Sequence, residues 1–124
     1  MRTFKTRPFA RFAIREGITD EALCDAVERA RRGLVDADLG GGVIKQRIAR
    51  RGQGRSGGFR VIVVFRRGER AFFVHGFAKS DRENLRRKET GALRALADEM
   101  LGLAGPDLEA MLSNGTISEV SCDG

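Results

Sequence analysis

Long apolar runs are missing from this 124-residue chain. None approaches the roughly 20 residues that a membrane-spanning helix needs, so no membrane association is expected. The first residues, Met1-Arg2-Thr3-Phe4-Lys5, lack the apolar segment of a secretory signal, and a cytoplasmic protein is expected. Cysteine is scarce as well: Cys24 falls in a helical pattern and Cys122 in the extreme tail. Two such residues make no disulfide framework, so a small core residue and an unpartnered tail thiol are expected. With His75 the sole histidine, neither a transition-metal site nor a cofactor is expected. Acidic residues are scarce in one place. Residues 42–88 hold 3 acids against 14 Lys and Arg, a net +11, whereas residues 1–41 carry +1 and residues 89–124 carry −6. That imbalance puts a strong positive field on one surface and makes a polyanion the natural partner.

What is present is enough for one core: 41% of the residues are hydrophobic. Phe9, Phe12 and Ala13 share a helical face, Pro8 suits its first turn, and Gly17 stops it. Thr19 caps a second helix, with Asp20 and Glu21 at its positive end and Leu23, Ala26, Val27 and Ala30 as its buried stripe. Leu39-Gly40-Gly41-Gly42 then breaks the pattern. Strands are predicted over Val43–Ala49, over Phe59–Phe65 and from about Ala71 to Ala78, with a hairpin turn at Arg66–Glu69. Ser80-Asp81-Arg82-Glu83 has the form of a capping box. It opens a long helix with an apolar stripe at Leu85, Ala92, Leu93, Leu96, Ala97 and Met100. A short turn with Leu108, Met111 and Leu112 follows. The expectation is a single α+β domain over residues 1–112. Two N-terminal helices and a C-terminal helix pack on an antiparallel twisted sheet of three to four strands. A polar tail, 113–124, either adds an edge strand through Ile117 and Val120 or stays loose.

The chemistry concentrates between Lys45 and Lys79. Arg50-Arg51-Gly52-Gln53-Gly54-Arg55-Ser56-Gly57-Gly58 contains a literal G-x-G-x-x-G. A dinucleotide site needs a helix after that motif, and here a strand follows. The better reading is a mobile cationic loop whose Arg50, Arg51 and Arg55 meet phosphates. Lys45 and Arg47 are two apart on a strand and point the same way, opposite to Ile44, Gln46 and Ile48. Arg60 is a lone cation in an otherwise apolar strand, which calls for an anionic partner. Lys79 ends the last strand, and Phe77 shares its face, either as a base-stacking platform or as core. His75 lies four residues from Lys79, roughly 13 Å along a strand, and a structural or core role is expected for it.

Lys45-x-Arg47, Gly52-x-Gly54-x-Ser56-Gly57-Gly58, Phe59-Arg60 and Gly76-Phe77-Ala78-Lys79, together with Leu39-Gly40-Gly41-Gly42, resemble the RelE/HigB toxins of bacterial type II toxin–antitoxin systems. The likeness covers about residues 3–101. It implies a small toxin that enters the ribosome and cleaves messenger RNA, and a cognate antitoxin that neutralises it. By motif position it implies Lys45, Arg47, Arg60 and Lys79 as the catalytic cations. This chain departs from the best-known member in having Ser80 where that protein has arginine, and in having no tyrosine to match its C-terminal catalytic one. Arg82 and Arg86 are the candidates to stand in, as RNA-binding cations. A lysine held among like charges gives up its proton more readily, so Lys45 beside Arg47 and Arg60 is the expected general base. The rivals are a gyrase poison of the ParE branch, which shares the fold without the nuclease residues, and a non-catalytic basic nucleic-acid-binding module.

Overall fold

The computed structural model describes residues 1–50, 54–78 and 87–122. The elements run β1 (Arg2–Thr6), α1 (Arg7–Glu16), α2 (Asp20–Arg31), β2 (Ala37–Gly40), β3 (Val43–Arg50), β4 (Gly54–Arg66), β5 (Arg70–Ala78), α3 (Arg87–Leu101), α4 (Gly105–Ser113) and β6 (Ile117–Val120). The strands form one sheet in the order β2-β3-β4-β5-β1-β6. The α+β architecture agrees with the sequence, but the sheet has six strands among the described residues, and it is mixed. β1 runs parallel to β5 and antiparallel to β6. β6 realises the edge-strand alternative for the tail, and β1 and β2 are additional; all three span only four or five residues each. Such short segments carry almost no periodic signal, and tertiary pairing decides them.

The helix starts follow local chemistry. The Thr6 hydroxyl accepts from Phe9 N at 3.4 Å, and the Thr19 hydroxyl accepts from Ala22 N at 3.2 Å. Each satisfies a main-chain donor that the first turn leaves unpaired. Gly17 closes α1 in the left-handed conformation, φ 71°, where glycine has no Cβ to clash. Gly105 and Pro106 begin α4, with proline in its first turn where no N–H is missed.

Both faces of the sheet are covered. Helices α1 and α2 pack Phe9, Ala13, Leu23 and Ala26 against Ile44, Ile48, Phe59, Val61, Val63 and Phe73. Helices α3 and α4 pack Ala97, Met100, Leu101 and Leu108 against Phe4, Val43, Ile62, Val64 and Phe72. The helical stripe expected on α3 is only partly realised. Ala97 and Met100 are buried, but Ala92 is exposed and Leu96 retains 38% exposure. Leu85 and the Ser80–Glu83 capping box lie outside the described residues. The end of α3 and the connection after it make anchoring contacts: Met100 O and Leu103 O accept from Arg70 Nη1 at 3.4 and 3.0 Å. Leu96 borders an apolar cleft with Val74, Met111 and Ile117.

Two further expectations change. The cysteines are not unpartnered: Cys24 of α2 and Cys122 form a disulfide with Cα atoms 5.4 Å apart. The reason is topological. β6 pairs with β1 and brings the end of the tail back over α2, although 98 residues separate the two thiols along the chain. The glycine-rich segment is also less of a loop than expected. Gly54–Gly58 belongs to β4, and the ladder with β3 continues past an irregularity to an Arg50–Gly54 pair. Ladder bonds use main-chain groups, so missing side chains do not prevent pairing.

Candidate functional site

Strand register builds the site. Across β3 and β4, Lys45 opposes Ile62 and Arg47 opposes Arg60. Across β4 and β5, Ile62 opposes His75 and Arg60 opposes Phe77. Two neighbouring rows therefore lie on the α3 side of the sheet, Lys45–Ile62–His75 and Arg47–Arg60–Phe77, with strands about 4.8 Å apart. Ile44, Gln46 and Ile48 turn to the other face and are buried there, so Lys45 and Arg47 share a face as expected. The far end of this face is roofed by α3, where Leu101 lies against the turn at Gly42.

Arg60 is the unusual member. It retains 8% exposure, yet its Nη1 atom is buried without a hydrogen-bond partner among the described residues. A buried, unpaired guanidinium donor is costly, because burial removes the water that would otherwise solvate it. Its cross-strand neighbour Arg47 adds repulsion, since like charges directly opposite destabilise a sheet. Arg47 N and O are both engaged on the side away from β4, by Asp36 Oδ2 at 2.6 Å and Arg29 Nη2 at 2.6 Å. The Arg47–Arg60 pair is therefore of the non-hydrogen-bonded type, with Cα atoms about 4.5 Å apart and side chains at their closest. An anion held between the two would relieve both costs at once. Arginine suits that work because it stays charged and offers a planar fork of donors to phosphate.

The other residues singled out from the sequence divide into three groups. Lys45 is half-buried beside Arg47 in this row arrangement. Phe77 is 4% exposed and packs in the α3-side core, forming the floor next to Arg60. Arg50 and Arg55 sit on the described backbone of β3 and β4. Their side chains, and all of Arg51, Lys79, Arg82 and Arg86, lie outside the described residues. His75 requires a correction. It is exposed rather than core, and its ring lies 5.8 Å from that of Phe77 on the same face as Lys45 and Arg60. Separation along β5 alone does not fix what His75 faces on the neighbouring strands. An irregularity in the ladder between Ile62 and Val63 sets the register that faces it across β4 to Lys45.

Two supporting features were not anticipated. Gln46 is fully buried, donating to Ala26 O at 2.9 Å and Leu34 O at 3.1 Å while accepting from Asp36 N at 2.8 Å. It ties the α2–β2 connection to the strand that carries Lys45 and Arg47. A buried polar residue on the apolar face of a strand was the available sequence signal. Gly76 is required by packing. A Cβ there would meet the Phe12 ring at 2.4 Å, so the absence of a side chain lets α1 close on β5 directly behind the site.

No curated protein matches the chain. A family model does: the RelE toxin of the RelE / RelB toxin–antitoxin system, over residues 1–120. The match takes in the whole sheet and every described site residue, and with it the chain belongs to the RelE toxin family.

Proposed function

We propose that this toxin is a messenger-RNA endoribonuclease that acts in the ribosomal A site and so blocks translation. The observation that carries the reading is Arg60: a buried guanidinium with an unpaired donor, set against a second arginine, on the cationic third of the chain. In the reaction the 2′-hydroxyl of one nucleotide attacks the adjacent phosphorus. Its proton passes to Lys45 as general base, the bond from phosphorus to the 5′-oxygen breaks, and that oxygen takes up a proton. The products are a 2′,3′-cyclic phosphate and a 5′-hydroxyl. Negative charge grows on the phosphoryl oxygens along this path. Arg60 and Arg47 lower the barrier to the extent that they hold the transition state more tightly than the bound RNA. Lys79 is the proposed proton donor to the leaving oxygen. Arg50, Arg51, Arg55, Arg82 and Arg86 hold RNA phosphates, with Phe77 as the apolar floor beside them.

The family implies an antitoxin partner. An acidic segment or an apolar helix laid over the cationic face would neutralise the site by covering it. The proposal places the chain in the cytoplasm, at the ribosome.

Primer extension on cellular messenger RNA after induction is the test. Codon-phased breaks that vanish with Lys45→Ala are expected. Unchanged cleavage by that variant would remove Lys45 as the base, and double-strand DNA breaks without RNA cleavage would point to gyrase poisoning instead.

A further inference from the structure

Arg47 lies where its strand loses its neighbour. β2 pairs with β3 from Gly40 back to Ala37, which opposes Lys45, and the ladder ends there. Two residues on, the outward main-chain groups of Arg47 have no strand to bond. They are taken instead by side chains: Asp36 Oδ2 accepts from Arg47 N, and Arg29 Nη2 donates to Arg47 O. The two side chains hold each other, with Arg29 Nη1 3.5 Å from Asp36 Oδ2. Arg29 also donates through Nε to Asp25 at 3.1 Å, so every nitrogen of its guanidinium is in use, and its side chain is 12% exposed. Asp36 is fixed in turn, because its own N–H donates to buried Gln46.

We infer that Asp36 and Arg29 are positioning residues for Arg47. They hold the backbone from which Arg47 reaches the phosphate, and this role rests on the reading of Arg47 as a site residue given above. The clamp opposes a specific force. Arg47 and Arg60 repel across the ladder, and an edge position released from its outer bonds would yield to that repulsion. Holding the backbone keeps both guanidinium groups aimed at one anion before RNA arrives. Removing such preorganisation costs turnover more than substrate affinity, and a displacement of about 1 Å can lower a rate by up to about 100-fold. A lysine at position 29 has a single nitrogen and cannot serve Asp25, Asp36 and Arg47 O together. An asparagine at 36 keeps an acceptor for Arg47 N but loses the ion pair.

The experiment is a double-mutant cycle of Asp36→Ala with Arg47→Ala, with Asp36→Asn and Arg29→Lys as graded variants. It is read by kcat and KM for cleavage on programmed ribosomes. A second readout is the binding of a 2′-O-methyl oligoribonucleotide, which the proposed chemistry cannot cleave. Unfolding midpoints are followed throughout. The expected result is a fall in kcat with little change in KM for Asp36→Ala, a smaller fall for Asp36→Asn, and near-loss of the Asp36 effect once Arg47 is alanine. Equal fold-losses from Asp36→Ala in both Arg47 backgrounds would overturn the inference and leave the clamp a purely structural tie. Full cleavage and binding by Arg47→Ala would instead remove Arg47 from the site and overturn the reading on which the clamp rests. Absence of cleavage in the parent protein would overturn the nuclease reading itself, an outcome distinct from a failed cycle in an active parent.

Discussion

The two faces of the sheet handle buried polarity in opposite ways. On the α1/α2 face, Gln46 is fully buried and its side chain makes three hydrogen bonds, all to the protein's own main chain. On the α3 face, Arg60 is nearly as buried and keeps an unpaired donor. Both residues lie on adjacent strands of the sheet, β3 and β4. The fold completes the first and leaves the second incomplete. Buried polar groups in folded proteins are normally satisfied, and the proposed function reads the incomplete one as the place for a bound phosphate. On that reading one face serves stability, and the open end of the other serves the ligand.

That contrast can be stressed directly, beginning where the largest effect is expected. The Cys24–Cys122 bridge closes a span of 98 residues, and a loop of that size is worth roughly 4.7 kcal/mol in the chain-entropy account. Cys122→Ser should lower the urea midpoint substantially and leave the turnover of the folded protein unchanged. Adding reductant to the parent protein should give the same loss, and it should give none in the variant. In a compartment that keeps thiols reduced, the value in reductant is the stability that applies.

Next comes Gln46→Leu. It leaves Asp36 N, Ala26 O and Leu34 O without their partner, and on the order of 3 kcal/mol of stability should go with it. Chemical denaturation would measure this. A loss as small as that of a surface substitution would break the claim that this face is closed by its own hydrogen bonds. Gly76→Ala tests the contact of α1 with β5. The added methyl meets Phe12, an overpacking expected to cost roughly 1–3 kcal/mol, and Phe12→Leu in the same chain should recover part of it.

The smallest effect belongs to the sheet edge. Arg2 grips Glu119 through two bonds of 2.9 Å and Glu109 through one of 2.9 Å. The hydrogen bonds from Arg2 hold the Glu119 carboxyl below its ordinary range. The folded value is the depressed one, so the contribution is present above the ordinary carboxylate range and is lost as pH falls through the folded value. The pair is largely exposed, so Glu119→Gln should cost less than about 1 kcal/mol at neutral pH. The difference from the parent protein should vanish in acid.

The α1/α2 face was largely legible in the sequence. The stripes of the first two helices, their threonine caps and the alternation of Val43–Ala49 are periodic signals that tertiary contacts did not override. The cationic residues Lys45, Arg47 and Arg60 were legible too, because a charge in an apolar strand stands out. The short strands β1 and β2 were not, and β6 was left open between an edge strand and a loose tail; with its docking went the disulfide, which depends on where β6 pairs. Nor was the facing of His75 toward Lys45 legible, since a one-residue ladder irregularity sets it. The Asp36–Arg29 clamp was hidden for a related reason. Its partners join residues 29, 36 and 47, which no local pattern connects.

The most direct measurement is a comparison of stability and turnover in Arg60→Met. If Arg60 is left incomplete for a ligand, exchanging it for an apolar side chain of similar length should hold or raise the unfolding midpoint, because an unpaired buried charge is removed. Messenger cleavage on ribosomes should fall by about 100- to 1,000-fold, the usual cost of removing one donor to a developing oxyanion. A midpoint that drops by several degrees while cleavage continues at the parent rate would contradict the account and make Arg60 a part of the scaffold.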